Sequence, residues 1–213
     1  MNGTSVFREL WISARHTVVS AAMTILFTLL VTGVGQLFFT SQANGSLLSV
    51  NGAVIGSTMI GQSCPKETLN KDGSFSITID PMFFQGRLSY TTDPSTGNLQ
   101  PCNAASSAGS NFGPSSPLLV ENAKAAVAAY RAHGLSGDVP VDLVTSDFTG
   151  FDPDISEAAA LFQVPMVAQA RGLDPAKLTA IVESQVQGRI LWVFGEPHIN
   201  VLQLNLAVVA AGG

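Results

Sequence analysis

The chain is poor in charge. Only 12% of its 213 residues are Asp, Glu, Lys or Arg, against 46% hydrophobic, where an ordinary soluble domain carries roughly 25% charge. It lacks a basic stripe: the formal net charge is −5, which excludes a nucleic-acid footprint built on Lys and Arg. It has two cysteines and three histidines, with neither a Cys-x-x-Cys nor a His-x-x-x-His pattern, so a zinc centre has no support. Gly-x-Gly-x-x-Gly, the P-loop signature and the Gly-x-Ser-x-Gly elbow are all absent. Each absence removes a class of catalytic machinery, and no internal repeat or second domain replaces it.

Charge is missing altogether between Arg15 and Lys66. Residues 17–39 of that gap form a predominantly apolar run of the length a membrane helix needs, about 20 residues. Gly33 and Gly35 are tolerated there because a helix in lipid satisfies its own backbone. Arg8 and Arg15 precede the run, with Trp11 near them as an interface anchor. The positive-inside rule therefore places residues 1–16 in the cytoplasm and the bulk of the chain outside. A cleaved signal peptide is the competing reading, since Ser41 and Ala43 form a small-x-small site; the run, however, exceeds the 7–15 residues of a signal core. Thr24, Thr28, Thr32 and Gln36 recur every fourth position, with Gly33 beside them. Small and polar residues at that spacing mark contacts with another membrane helix, although Gln36 can also reach the headgroup layer.

After a linker at 40–45, residues 46–213 are expected to form one mixed α/β domain. Asn51-Gly52 between short apolar runs, 47–50 and 54–60, signals a hairpin. Residues 74–79 alternate as an exposed strand, after a turn at Lys71-Asp72-Gly73. A helix is expected over 118–133, opened by Ser116 and Pro117 and stopped by Gly134. Ser156 caps a second helix running to about Arg171, and Asp174 with Pro175 opens a third that ends near Gly188. Strands are expected at 139–145, 189–194 and 200–209. His133 complements the dipole at a helix end. Asp142, Asp147, Asp152 and Asp154 form an acidic cluster whose spacing is not that of an EF-hand. Solvated loop, structural loop and acid–base pair all remain open for it.

Cys64 and Cys102 both fall on the outer side, where a disulfide persists. They stand 38 positions apart, and a bond between them would staple the irregular region they flank. Two separate buried thiols, or a pair whose Cβ atoms never approach, are the alternatives.

An ordered set of phrases runs along the outer part. It begins with Gln62 after Ile60-Gly61, then Phe84-Gln85-Gly86-Arg87. Gly109-Ser110-Asn111-Phe112-Gly113-Pro114 follows, and then Asp142 within 139–145. Phe151-Asp152-Pro153-Asp154-Ile155-Ser156 comes next, and the set ends with Asn200 and Asn205 in the tail. Together with the anchor this set resembles the C subunit of the Kdp-type potassium-transporting ATPase. Departures are Leu88, where that family has Pro, and Asp154, where it has His. The resemblance implies a single-span subunit of the cell membrane without catalytic activity of its own. It implies three partners: a channel-like potassium-translocating subunit, a P-type ATP-hydrolysing subunit and a small accessory subunit. It also implies a role in assembly and an indirect influence on nucleotide affinity. The complex uses ATP, Mg2+ and K+; no cofactor is expected on this chain itself. The motif residues Gln62, Gly86, Arg87, Ser110, Asn111, Gly113, Pro114, Asp142, Asp152, Ser156, Asn200 and Asn205 become site candidates on the same ground.

Overall fold

A computed structural model describes residues 3–70 and 75–212. The chain divides into two units, one up to Leu47 and one from Leu48 onward. In the first, α1 (Gly3–Phe38) is a single 36-residue helix. Its segment Val6–Phe38 is long and apolar enough to cross a membrane, and none of its most apolar stretch is buried. At about 1.5 Å per residue, those 33 residues span roughly 50 Å, more than the ~30 Å of a hydrocarbon core. Phe39 breaks the helix, and α2 (Thr40–Ala43) adds one turn, so the expected linker is largely helical. Gly45 then turns the chain at φ 86°.

In the second unit β1 (Leu47–Val50), whose first residue closes the first unit, pairs with β2 (Ala53–Ser57). Asn51 and Gly52 both take positive φ, 52° and 81°, the requirement of a type I′ hairpin. β3 (Lys66–Leu69) and β4 (Phe75–Thr78) form a second antiparallel pair, with Lys66 opposite Thr78 and Leu69 opposite Phe75. The expected turn at Lys71-Asp72-Gly73, and Ser74, lie outside the described residues. A third pair, β5 (Asp154–Ile155) with β6 (Ile199–Asn200), joins distant parts of the chain. Each described sheet has only two strands.

Four helices build the core: α3 (Pro117–Ala132), α4 (Glu157–Arg171), α5 (Pro175–Ser184) and α6 (Val201–Gly212). α4 packs on α5, α5 on α6, and β4 on α3. Phe84, Tyr130, Leu143, Val167, Leu178, Ile199 and Leu204 are fully buried between them. The helix ends follow sequence chemistry. Ser156 Oγ accepts from the Ala159 amide at 3.1 Å, and Gly172 closes α4 in the left-handed region at φ 64°. The Asp174 carboxylate accepts from the Ala176 amide at 2.9 Å, ahead of Pro175. α5 stops at Ser184, short of Gly188.

Three expected strands are something else. Within 139–145 the chain makes a 3-10 turn, Val141–Leu143. Thr145 Oγ1 bonds back to the Val141 carbonyl at 2.8 Å, and Leu143 points into the core while Val141 is exposed. Within 200–209 only Asn200 is strand. Its Oδ1 accepts from the Gln203 amide at 3.1 Å and starts α6. The buried residues of α6, Val201, Leu204, Asn205 and Val208, then keep helical spacing. The apolar alternation read as a strand is the lesser of two periodicities in that segment. Residues 189–194 form a tight turn with one bridge, Ile190 to Phe194, and positive φ at Leu191 and Trp192.

Candidate functional site

Long irregular segments inside a domain need partners for every buried backbone N–H and C=O. Here side-chain amides supply them. Phe84 is buried at the centre; its amide donates to Asn205 Oδ1 at 2.8 Å, and its carbonyl accepts from Asn205 Nδ2 at 2.9 Å. Gln163 on α4 does the same for Gln85, with the Gln85 amide donating to Oε1 at 2.8 Å and Nε2 donating to the Gln85 carbonyl at 3.1 Å. Each side chain imitates a neighbouring strand. Asn205 Nδ2 also reaches Ser63 Oγ at 3.1 Å, and the Gly86 amide donates to the Ser63 carbonyl at 2.6 Å.

A second knot lies around Ser89. Its Oγ donates to the Gly150 carbonyl at 2.5 Å and accepts from the Cys102 amide at 2.8 Å. Thr91 Oγ1 donates to the Gln100 carbonyl at 2.6 Å and accepts from the Asn103 amide at 2.9 Å. Cys64 and Cys102 are joined as a disulfide, with Cα atoms 5.8 Å apart. Gly150 sits at φ 79°, and a Cβ there would run into Thr91 and the Ala108 carbonyl. Gly61 donates to the Phe151 carbonyl at 2.7 Å, and its missing Cβ leaves room for the Asp152 carbonyl.

The motif residues fall mostly within such staples. Gln62 lies over Gly56, whose missing Cβ makes the space. Ser110 Oγ accepts from Ser146 Oγ at 3.0 Å. Asn111, at φ 54°, donates to the Gly109 carbonyl at 3.1 Å. The Gly113 carbonyl accepts from the Ser116 amide at 2.9 Å, so Gly113-Pro114 turns the chain into α3. Asp142 Oδ2 accepts from the Ser156 amide at 2.7 Å, tying the 3-10 turn to the cap of α4. Asn200 Nδ2 reaches the Thr58 carbonyl at 2.8 Å and Asp154 Oδ1 at 3.2 Å. These residues are spread through the unit; the fold does not gather them at one centre.

Part of the acidic cluster does meet. Asp147 accepts from the Gly150 amide, from the Asp152 amide at 2.6 Å and from Thr149 Oγ1 at 2.9 Å. Arg87, Asp147, Phe148 and Asp152 line a shallow groove of about 490 Å³. Arg87 also reaches Thr145 Oγ1 at 3.4 Å. Burial holds the Asp152 carboxyl above its ordinary range; Asp147 and Asp154 push the same way, while the amide bond from Asp154 and the Arg87 charge oppose. Among the described residues no group of three or more His, Cys, Asp or Glu is placed to hold a metal ion. His133 follows α3 directly, at its C-terminal cap.

Sequence reasoning missed three features. Gln163 was legible as a polar residue on an apolar helix face. Glu67, buried on β3, gave no signal within its polar surroundings. The third is the turn at 190–194, where Leu191 is 75% and Trp192 93% exposed, with Ile190, Val193 and Phe194 exposed beside them. Arg189 pairs with Glu196 across its base at 2.6 Å.

On α1, Thr24 and Thr28 donate to the carbonyls four residues back, Ser20 and Thr24, each at 2.9 Å. Gln36 pairs with Asn44 through both amide groups, at 3.1 and 3.4 Å. Thr32 and Gly33 continue the same part of the helix, and nothing lies within 4 Å of the position a Gly33 Cβ would take.

Known proteins match this plan across nearly its whole length. The family model described as K+-transporting ATPase, c chain, matches residues 10–210. A potassium-transporting ATPase KdpC subunit of Methylorubrum extorquens is 44% identical over 190 residues, covering 87% of this chain and 88% of its own length. The KdpC subunit of Burkholderia orbicola is 44% identical over 196 residues, 91% of each chain. That of Methylobacterium nodulans is 43% identical over 205 residues, 92% and 95%. The chain therefore belongs to the family of the K+-transporting ATPase c chain, KdpC.

Proposed function

We propose that this chain is the membrane-anchored, non-catalytic subunit of an ATP-driven potassium pump, and that it works by docking. The observation that carries the reading is the exposed apolar turn at 190–194. Five consecutive large apolar residues on a tight turn form a surface that water alone does not favour. Two of them, Leu191 and Trp192, hold positive φ, a conformation that bulky residues rarely take. A rigid apolar projection suits a preformed groove on a neighbouring subunit. The amide staples support the same reading, since they use the motif side chains to fix shape.

The partners of this reading are a channel-like potassium-translocating subunit, a P-type ATP-hydrolysing subunit and a small accessory subunit. α1 anchors the chain in the cell membrane, with Arg8 and Arg15 on the cytoplasmic side. Thr24, Thr28, Thr32 and Gly33 offer a neighbouring helix a face of small side chains. Because the hydroxyls of Thr24 and Thr28 and the Gln36 amide already have partners in the chain, that contact rests on packing. With the main unit outside the cytoplasm, any influence on nucleotide affinity passes through the partners. ATP and Mg2+ belong to the hydrolytic subunit, and K+ is cargo.

Retrieval of the affinity-tagged chain from native membranes in mild detergent, followed by mass spectrometry, tests this. Multispan potassium-pump subunits in stoichiometric amount are expected. A chain that comes alone and intact, from membranes shown to contain the pump, would contradict it.

A further inference from the structure

Apart from the groove and the apolar turn, the second unit holds a cavity of about 560 Å³ beside β3 and β4. Its walls include Phe75, Tyr90 and Phe112, whose rings meet edge to face with centroids 5.9, 6.4 and 5.3 Å apart. Leu99 and Leu118 add apolar surface, and Glu67 is the one formally charged residue of the lining. Glu67 is 4% exposed. Its Oε1 accepts from the Ser89 amide at 2.8 Å, whereas its Oε2 has no partner. Asn122, on the α3 side, bonds to the Tyr90 hydroxyl at 2.6 Å through Nδ2, while its buried Oδ1 is also unpartnered. Asn122 lies within hydrogen-bonding influence of the Glu67 carboxyl. Two buried acceptors without a donor therefore stand together at an aromatic-walled cavity. Such groups are expensive to leave unpaired.

We propose that this cavity is a binding site for a small primary alkylammonium ligand. Its N–H groups would donate to Glu67 Oε2 and Asn122 Oδ1, and its short hydrocarbon body would lie against Phe75, Tyr90 and Phe112. The charge of the ligand matches the single carboxylate and is further favoured by the ring faces. An anion would meet that carboxylate, and a neutral apolar molecule would leave both acceptors unpaired. A bare alkali ion needs a shell of oxygens, whereas much of this wall is aromatic carbon. Burial pushes the Glu67 carboxyl up to about 7, against the lowering bonds from Ser89 and Asn122. Tyr90 is the other titratable group of the lining, and burial and the Glu67 charge both hold its phenol protonated. Lys66 on β3 and Glu121 and Lys124 on α3 are exposed and outside the lining. Ligand binding therefore draws on ionised Glu67 and tightens as pH rises from 5 to 8.

Isothermal titration of the full chain in detergent with n-butylammonium chloride, at constant ionic strength, tests the site. Saturable one-to-one binding is expected, weaker by about tenfold or more for 1-butanol, for KCl and for Glu67→Gln. Phe112→Ala should weaken it severalfold, with unchanged circular dichroism. Absence of saturable heat with the folded wild-type chain would overturn the proposal; the two acceptors are then satisfied within the chain by a rotated Asn122 amide. Equal binding of 1-butanol, or of K+, by the wild-type chain would overturn it as well, independently of how any variant folds.

Discussion

The two units solve the same backbone problem in opposite ways. α1 satisfies its N–H and C=O groups locally, residue by residue, and leaves its apolar side chains exposed along its length. The second unit buries its apolar side chains, yet much of its chain is irregular, and its hydrogen bonds reach far along the sequence. Asn205 and Phe84 are 121 positions apart, and Gln163 and Gln85 are 78 apart. Local satisfaction makes a helix tolerant of single changes. Distant satisfaction concentrates the burden on a few side chains, each holding several backbone groups.

The sharpest way to break that contrast is to remove a staple. Asn205→Ala leaves the buried amide and carbonyl of Phe84 without partners. At roughly 1–3 kcal/mol for each orphaned group, the second unit should lose about 2–6 kcal/mol, a large share of a typical stability of about 5–15. Urea titration followed by circular dichroism should show early loss of the second unit while the helicity of α1 persists. Equal stability of the variant would remove the staple argument.

Next in size is the disulfide. Closing a loop of sequence separation 38 stabilises by about 3–4 kcal/mol in the chain-entropy account. Cys64→Ser should lower the unfolding midpoint and open residues 64–102 to limited proteolysis, with pump assembly largely kept. Non-reducing peptide mapping of the mature chain gives the pairing directly; two thiols that alkylate fully without reductant would contradict it.

Glu67 gives a pH signature to the second unit alone. Its carboxyl is raised from 4.5 to about 7 in the fold, so the folded chain holds a proton there that the unfolded chain has released. The corresponding stability is full below pH 4.5 and is lost as pH rises toward and through 7, by about 3 kcal/mol in all. Glu67→Gln should flatten this fall, standing above the wild type at pH 8. Denaturation midpoints at pH 5 and pH 8 measure it, and parallel shifts in both chains would refute the assignment.

The same contrast explains what could be read from sequence. The anchor was legible because an uninterrupted apolar run is a local property. The Ser156 and Asp174 caps, with Pro175 and Gly172, were legible for the same reason. The segments at 139–145 and 200–209 were misread because a distant or side-chain bond decides them. Asp142 is held by the Ser156 amide, and Asn200 turns an alternating segment into a helix by capping it. Of the candidate residues, the motif gave identities without geometry. Nothing local in the polar stretch around Glu67 announces that it is buried beside three aromatic rings.

A smaller effect is expected in the anchor. Gln36→Leu removes the pairing with Asn44 without disturbing the helix. Yield of assembled complex in detergent should fall only modestly, by the equivalent of about 0.6–2 kcal/mol. Loss of assembly altogether would make Gln36 a direct bond to a partner helix and overturn the packing view of that face.

The docking claim itself is tested by changing the exposed turn while leaving every staple in place. The double variant Trp192→Ser, Phe194→Ser alters two side chains that are exposed in the isolated chain, so the unit should fold with an unchanged denaturation midpoint. Co-purification of tagged wild type and variant from the same membranes, quantified by mass spectrometry, is the measurement. The account predicts full recovery of the partner subunits with the wild type and a strong loss with the variant. Undiminished recovery with the variant would contradict it.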